Sequence, residues 1–221
     1  MAIDDQEEYE QGERVRSWLR SNGTSIIGGI AVGLTLIAGW QWWQRKQDLH
    51  AQDAAMQYQA LDNAVNAGSD EKRIAMLANS LHTDYAKTVY GTLASMRLAA
   101  HQVERGDAKA ALATLDAVSG KSGDPGLEPL VRLRAARLLM ALNRPKDALA
   151  RIEPITDAAY VGVAAEIRGD AEVALGNLDA ARTAYTEALT HTDAGAPTRA
   201  IIEMKLADIG GEAPKPEAKK A

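Results

Sequence analysis

Two patterns of apolar positions divide the chain. From Thr24 to Trp43 the run "TSIIGGIAVGLTLIAGWQWW" carries no charge, and nothing else in the sequence resembles it. Ile26 to Trp43 is 18 residues, roughly 27 Å at the helical rise and close to the ~30 Å of a bilayer's hydrocarbon. The run predicts one membrane-spanning helix. Its polar exceptions are Thr35, which can bond back to its own helix, and Gln41 near the end. Beyond Gln47, alanine and leucine recur at spacings of three and four with almost no alternating β-branched stretches, which predicts an all-helical domain. The helices fall near 48–67, 71–81, 85–105, 108–118, 127–142, 146–155, 158–175, 179–191 and 197–208. They are separated by glycine, asparagine and proline punctuation at "AGSD", "RGD", "SGKSGDPG", "NRP", "LGN" and "AGAP".

The flanks of the uncharged run sharpen its reading. Arg14, Arg16 and Arg20 precede it and Arg45 and Lys46 follow it; Trp18 stands before it, and Trp40, Trp42 and Trp43 stand at its far end. Tryptophan favours the headgroup level because its ring is apolar while its N–H wants a partner. Trp18, Trp40, Trp42, Trp43, Arg45 and Lys46 are therefore expected to seat the helix in a lipid bilayer. Bulky tryptophans occupy the place where a small-x-small cleavage site would fall, so the run reads as an uncleaved signal anchor. Three basic residues before against two after leave the orientation open, the more so because Asp4 to Glu13 is strongly acidic. Ser25, Gly29 and Gly33 repeat every four residues, and Ala31, Thr35 and Gly39 do so on a second face; small residues so spaced allow another helix to approach. The layout expected is an acidic N-terminal segment 1–23, a transmembrane anchor 24–43, a helical domain 44–210 and a frayed tail 211–221.

Within the helical domain three breaks are equivalent. Aligning "ERGDAKAALATL", "ALNRPKDALARI" and "ALGNLDAARTAY" puts Gly106, Asn143 and Gly176 in one column. Ala111, Ala148 and Ala181 follow, then Leu115, Ile152 and Tyr185; seven residues before each turn stands Ala99, Ala136 or Gly169. Helix pairs with a tight turn, a small residue on each helix and a larger apolar residue one turn on resemble the tetratricopeptide repeat, whose period is about 34 residues. The small residues belong where paired helices come closest, and the larger one between repeats. The first-helix aromatics and the final proline of the consensus are largely missing. One repeat cannot bury its own apolar face, so helices 48–81 are expected to pack on the first unit and helix 197–208 to cap the last.

Composition narrows the chemistry. A net charge of −5 with interspersed signs offers no basic stripe for nucleic acid, and the absence of cysteine removes disulfides, thiolate metal sites and a lipidated N-terminal cysteine. "GKS" at Gly120 to Ser122 lacks the preceding glycine and strand of a phosphate loop, so it reads as a flexible connection. His50, His82, His101 and His191 show no metal-ligand spacing. Glu166, Asp170 and Glu172 can share a helix face, where solvated carboxylates are routine. No catalytic, cofactor or metal residues are expected. A membrane-tethered interaction scaffold is favoured over an enzyme of unrecognised type, which a deep pocket of convergent titratable groups would support.

An acidic N-terminus, "RVRSWLRSNG" with Trp18, Asn22 and Gly23, the exit "GWQWW" at Gly39, Trp40 and Trp43, then "YAKTVYGTLASMRLAA" and "AAEIRGDAEVALGNLDAARTAY" with its turn at Arg168 to Ala171, resemble the YfgM family from about residue 7 to 190. That family is the ancillary subunit of the bacterial SecYEG translocon. The resemblance implies a single-pass anchor in the inner membrane, N-terminus cytoplasmic, with the repeat domain in the periplasm. It further implies partnership with SecYEG and a PpiD-like chaperone, unfolded clients being passed to periplasmic chaperones, and no catalytic motif. A periplasmic repeat scaffold for envelope assembly or stress regulation is the alternative.

Overall fold

The computed structural model describes residues 4–122 and 124–213; the side chains of residues 4–15, 17, 19, 23, 24, 26 and 27 lie outside that description. The expected tail 211–221 is thus outside it from residue 214, as are most side chains of the acidic segment 1–23. The helices are α1 (Asp4–Asn66), α2 (Glu71–Asp84), α3 (Val89–Glu104), α4 (Ala108–Val118), α5 (Glu128–Ala141), α6 (Pro145–Ile152), α7 (Val161–Ala174), α8 (Leu178–Thr190) and α9 (Pro197–Asp208), with a 3₁₀ turn at Pro125–Leu127. Among the described residues there is no strand, and the all-helical fold expected from the apolar spacing is what forms. The chain divides into two units, Met1–Gln52 and Asp53–Ala221.

In the first unit the described backbone is helical and the described large apolar side chains are bare. Ile30, Val32, Leu34, Leu36 and Ile37 are 54 to 70 % exposed, and Trp40, Trp42 and Trp43 are exposed beside them. Thr35 donates its hydroxyl proton to the Ala31 carbonyl at 2.8 Å, which removes its polar group from competition. Trp40 and Trp43 lie ring to ring at 5.5 Å, and the Lys46 ammonium stands 5.8 Å over Trp42. Ser25 and Gly29 are exposed and Gly33 is half-buried; a Cβ added at either glycine would meet nothing within 4 Å. Among the described residues, no helix is long and apolar enough to cross a membrane. Thr24, Ile26 and Ile27, where the uncharged run begins, are among the side chains outside the description. The sequence reading begins a new helix at 48, whereas α1 passes through that point unbroken, because no glycine or proline interrupts the chain from Trp40 to Asn66.

The second unit is a succession of helical hairpins. Gly106, Asn143 and Gly176 all adopt left-handed backbone (φ 80°, 56° and 81°). At each, the turn residue's N–H donates to the carbonyl three back and the next N–H to the carbonyl five back from it: Gly106 to Val103 and Asp107 to Gln102, Asn143 to Met140 and Arg144 to Leu139, Gly176 to Val173 and Asn177 to Glu172. This paired closure satisfies carbonyls that the helix end would otherwise leave bare. The same pair recurs at Gly68, with Ser69 donating to Ala64, and at Gly210, with Gly211 donating to Leu206. The column therefore runs 68, 106, 143, 176, 210. The end of α1 and α2 form a hairpin like those that follow.

That first hairpin escapes the sequence alignment for two reasons. Its second helix starts three residues after the turn glycine rather than two, which moves its buried set to Ile74, Ala78 and Leu81, one position out of step with Ala111, Leu115 and Val118. Leu61 also stands where the other hairpins have Ala99, Ala136 and Gly169. Leu61, Ile74, Leu81 and Ala94 form one apolar cluster joining α1, α2 and α3.

Apart from the exposed turn residues Gly106, Asn143 and Gly176, each position in the aligned columns is buried. Ala99, Ala111, Leu115, Ala136, Ala148 and Ile152 share the central cluster, and Ala181 and Tyr185 belong to the cluster of α7, α8 and α9. Burying a leucine or isoleucine such as Leu115 or Ile152 contributes about 1.5–3 kcal/mol. Gly169 is buried against Tyr185, whose ring carbon would lie 2.4 Å from an added Cβ. α3 starts at Val89, not near 85, because the chain turns a corner first: Thr88 donates to the Tyr85 carbonyl at 2.8 Å, and a Cβ on Gly91 would come 2.8 Å from that carbonyl oxygen. The connection at Gly120 to Ser122 is hydrogen-bonded where a flexible one was expected. Glu128 accepts from the Ser119 hydroxyl and the Gly120 N–H, and Ser122 donates to the Asp124 carbonyl.

Candidate docking groove

Successive first helices of the hairpins leave a cleft between them. It is lined by α3 and α5, by Tyr58 from the second unit's part of α1 and by Leu115 of α4, and encloses about 560 Å³. Leu93, Met96, Leu130 and Leu138 form its apolar floor, and Val103 is 46 % exposed at its edge. Because side chains four apart share a helix face, Leu93 with Arg97 and Leu130 with Arg134 make two equivalent steps into the same cleft. Arg137, one turn beyond, completes the charged margin; Glu104 is the one carboxylate among the described lining residues.

The three arginines differ in how they are held. Arg97 donates through Nε to Asp62 at 2.7 Å and through Nη2 to Asn66 at 2.5 Å, so α1 fixes its guanidinium. Arg134 and Arg137 are exposed and have no hydrogen-bonding or ionic partner among the described residues. Other arginines nearby are neutralised: Arg151 by Asp116 and Arg168 by Glu187 across helices, and Arg132 by Glu128 within α5. Arg134 and Arg137 thus set unopposed positive charge beside an apolar floor, an arrangement suited to holding a carboxylate next to a buried apolar side chain.

The carboxylates singled out from the sequence do other work. Glu166 and Asp170 both accept from Lys205 Nζ, at 2.7 and 2.9 Å, and Asp170 also accepts from the Tyr185 hydroxyl at 2.7 Å. Burial, reinforced by the bond to Asp170, pushes the Tyr185 hydroxyl's pKa above its ordinary value. At Lys205 burial opposes the charge, but the bonds to Glu166 and Asp170 outweigh it and the pKa rises. Glu172 instead accepts from Asn177 across the turn. The bonds of Lys205 and Tyr185 tie α9 to α7 and α8, and none of Glu166, Asp170 and Glu172 lines the groove. Among the described residues no group of histidine and carboxylate side chains could hold a metal ion.

None of the groove arginines figures among the sequence-derived candidates, though a signal for two of them exists. Arg97 and Arg134 each stand nine residues before their turn residues, Gly106 and Asn143. Extending the repeat columns beyond the small residues would have shown that coincidence.

The chain matches the family model of the tetratricopeptide repeat-like domain over residues 16–211. It is 29 % identical over 202 residues to an ancillary SecYEG translocon subunit of Escherichia coli, covering 91 % of this chain and 96 % of the relative. Proteins of the same description from Haemophilus influenzae and Aggregatibacter actinomycetemcomitans are 28 % and 26 % identical, over 82 % and 92 % of this chain and 88 % and 98 % of their own lengths. No solved structure matches the chain significantly. With hairpins closed by repeated left-handed turns and relatives covered nearly end to end, the chain belongs to the YfgM family of tetratricopeptide repeat-like proteins.

Proposed function

We propose that this protein is a non-enzymatic, ancillary subunit of the SecYEG translocon, an adaptor tethered to the inner membrane that passes newly translocated chains to periplasmic chaperones. The observation that carries the reading is similarity over 91 % of the chain, uncharged run included, to a protein described as an ancillary SecYEG translocon subunit. The bareness of Ile30 to Trp43 supports the tether: a helix apolar around its circumference needs a non-aqueous surrounding, and the run from Ile26 supplies the length of a bilayer core. The span occupies 24–43, residues 1–23 lie in the cytoplasm and the hairpin domain lies in the periplasm. Trp18, Trp40, Trp42, Trp43, Arg45 and Lys46 mark the two headgroup levels. A PpiD-like chaperone is the partner to which clients pass.

Affinity purification of the full chain from membranes solubilised in mild detergent tests this. The translocon and a PpiD-like chaperone should be recovered together; recovery of neither would overturn the proposal. Protease added to intact spheroplasts should digest residues beyond Gln47 and spare an epitope placed at the N-terminus. The opposite protection would reverse the orientation.

A further inference from the structure

The two equivalent steps in the cleft, Leu93 with Arg97 and Leu130 with Arg134, point to what the cleft accepts. We propose that the groove of α3 and α5 is a docking site for an extended, acidic segment of a partner protein in which leucine-sized side chains sit beside carboxylates. This rests on the adaptor reading and names the kind of chain the adaptor grips.

The repetition is specific to these hairpins. The positions that carry Leu93 and Arg97 on α3, and Leu130 and Arg134 on α5, carry Val163 and the buried Ile167 on α7. The charged margin therefore stops after two steps, and the ligand it fits is a short segment. Each half of the site contributes a separate term. The floor of Leu93, Met96, Leu130 and Leu138 gains from burying an apolar side chain without regard to its orientation. The guanidinium groups add direction, because a planar fork matches a carboxylate through two parallel hydrogen bonds. Arg97 is held in place by Asp62 and Asn66, whereas Arg134 and Arg137 retain their charge for a ligand.

Charge also selects against other occupants. The chain's own C-terminal stretch "EAPKPEAKKA" sets three lysines against two glutamates and has no leucine-sized side chain, so it brings neither net acidic side-chain charge nor an anchor. Nucleic acid fits poorly, since three arginines beside an apolar floor, on a chain of net charge −5, offer no continuous track for a phosphate backbone.

The test uses the full chain in dodecyl maltoside micelles and a fluorescein-labelled, C-terminally amidated peptide of sequence Asp-Leu-Glu-Asp-Leu-Glu, followed by fluorescence anisotropy. Saturable binding that weakens as salt is raised is expected. Replacing the peptide's carboxylates by lysines, or its leucines by serines, should weaken binding by about tenfold or more, the effect of losing one 1.4 kcal/mol interaction. The double variant Arg134→Glu with Arg137→Glu should lose as much while keeping the wild-type helical circular dichroism, since both side chains are exposed. Arg137→Gln alone should fall between, and Glu104→Gln should tighten binding. Equal binding of the lysine peptide, wild-type binding by the double variant, or no saturable binding would overturn the proposal. So would preferential binding of a peptide of residues 2–13, which would give the cleft to the chain's own acidic segment. Because no translocon is present, failure here with successful co-purification removes the docking inference alone, and failure of co-purification removes the adaptor reading.

Discussion

The stretch Ile30–Trp43 and helix α5 are both rich in large apolar residues, yet one displays them and the other hides them. In α5, Val131, Leu133, Leu138 and Leu139 are all buried, because helices on either side present complementary apolar faces. In the first unit Leu34, Leu36 and Ile37 are more than half exposed. Apolar content is therefore not what makes a core; a core needs a second apolar surface supplied by the same chain. Where the chain supplies none, the side chains specify a surrounding instead, and a lipid bilayer is the surrounding that satisfies the proposed reading.

The contrast can be attacked most severely by placing the same charge in both regions. Leu139→Asp should destabilise the hairpin domain by about 4 kcal/mol or more, because an unpaired carboxylate would be buried. Urea titration followed by circular dichroism measures that. Leu36→Asp should leave the same titration unchanged and lower the fraction of chain resisting carbonate extraction from membranes, at a cost to insertion of about 2.5–3.5 kcal/mol. A midpoint shifted by Leu36→Asp would show that this stretch has a protein partner after all.

Truncation gives the next largest separation. Ile152→Ala should cost about 2–5 kcal/mol in the same titration. Replacing Trp40, Trp42 and Trp43 together by alanine should leave helicity and midpoint alone and loosen membrane seating. A collapse of the hairpin domain would show that the tryptophans are core. Glycines sharpen the contrast further. Gly169→Ala drives a Cβ into the Tyr185 ring and should cost about 1–3 kcal/mol. At Gly33 an added Cβ meets nothing, so Gly33→Ala should leave the midpoint where it is.

Smaller effects come from the polar tie at the domain's end. Tyr185→Phe removes the donor to Asp170 and should cost about 1 kcal/mol at neutral pH. Tyr185 and Lys205 both have pKa values raised on folding, so their contributions are whole below their unfolded values near pH 10 and are lost as pH climbs through the folded ones. Wild type should therefore lose stability above about pH 10, and Tyr185→Phe should lose it less steeply. The smallest effect is a gain: Asn143→Gly relieves a left-handed φ of 56° and should raise the stability measured in the same titration by about a few tenths of a kcal/mol.

Much of the fold is legible in the sequence because its punctuation is chemical. A glycine or asparagine is needed wherever φ turns positive, so Gly106, Asn143 and Gly176 announce their turns, and small residues must precede them where helices touch. The first hairpin is hidden because a single extra residue after Gly68 shifts every later position and because Leu61 occupies a place filled elsewhere by alanine or glycine. The groove is hidden for a different reason. An arginine on a helix surface looks the same in sequence whether it is neutralised, like Arg151, or unopposed, like Arg134; that distinction depends on carboxylates brought near by folding.

The hairpin with its paired turn hydrogen bonds has a kinetic consequence. Each helix in the second unit packs chiefly on the helices just before and after it, so contacts form between residues close in sequence. Low contact order favours rapid folding, and a stack of nearest-neighbour units can grow from one end. Residues 53–84 can close their hairpin before α5 has been delivered, and every later hairpin finds its template already built. A chain emerging N-terminus first would thus be folded in the order in which it arrives.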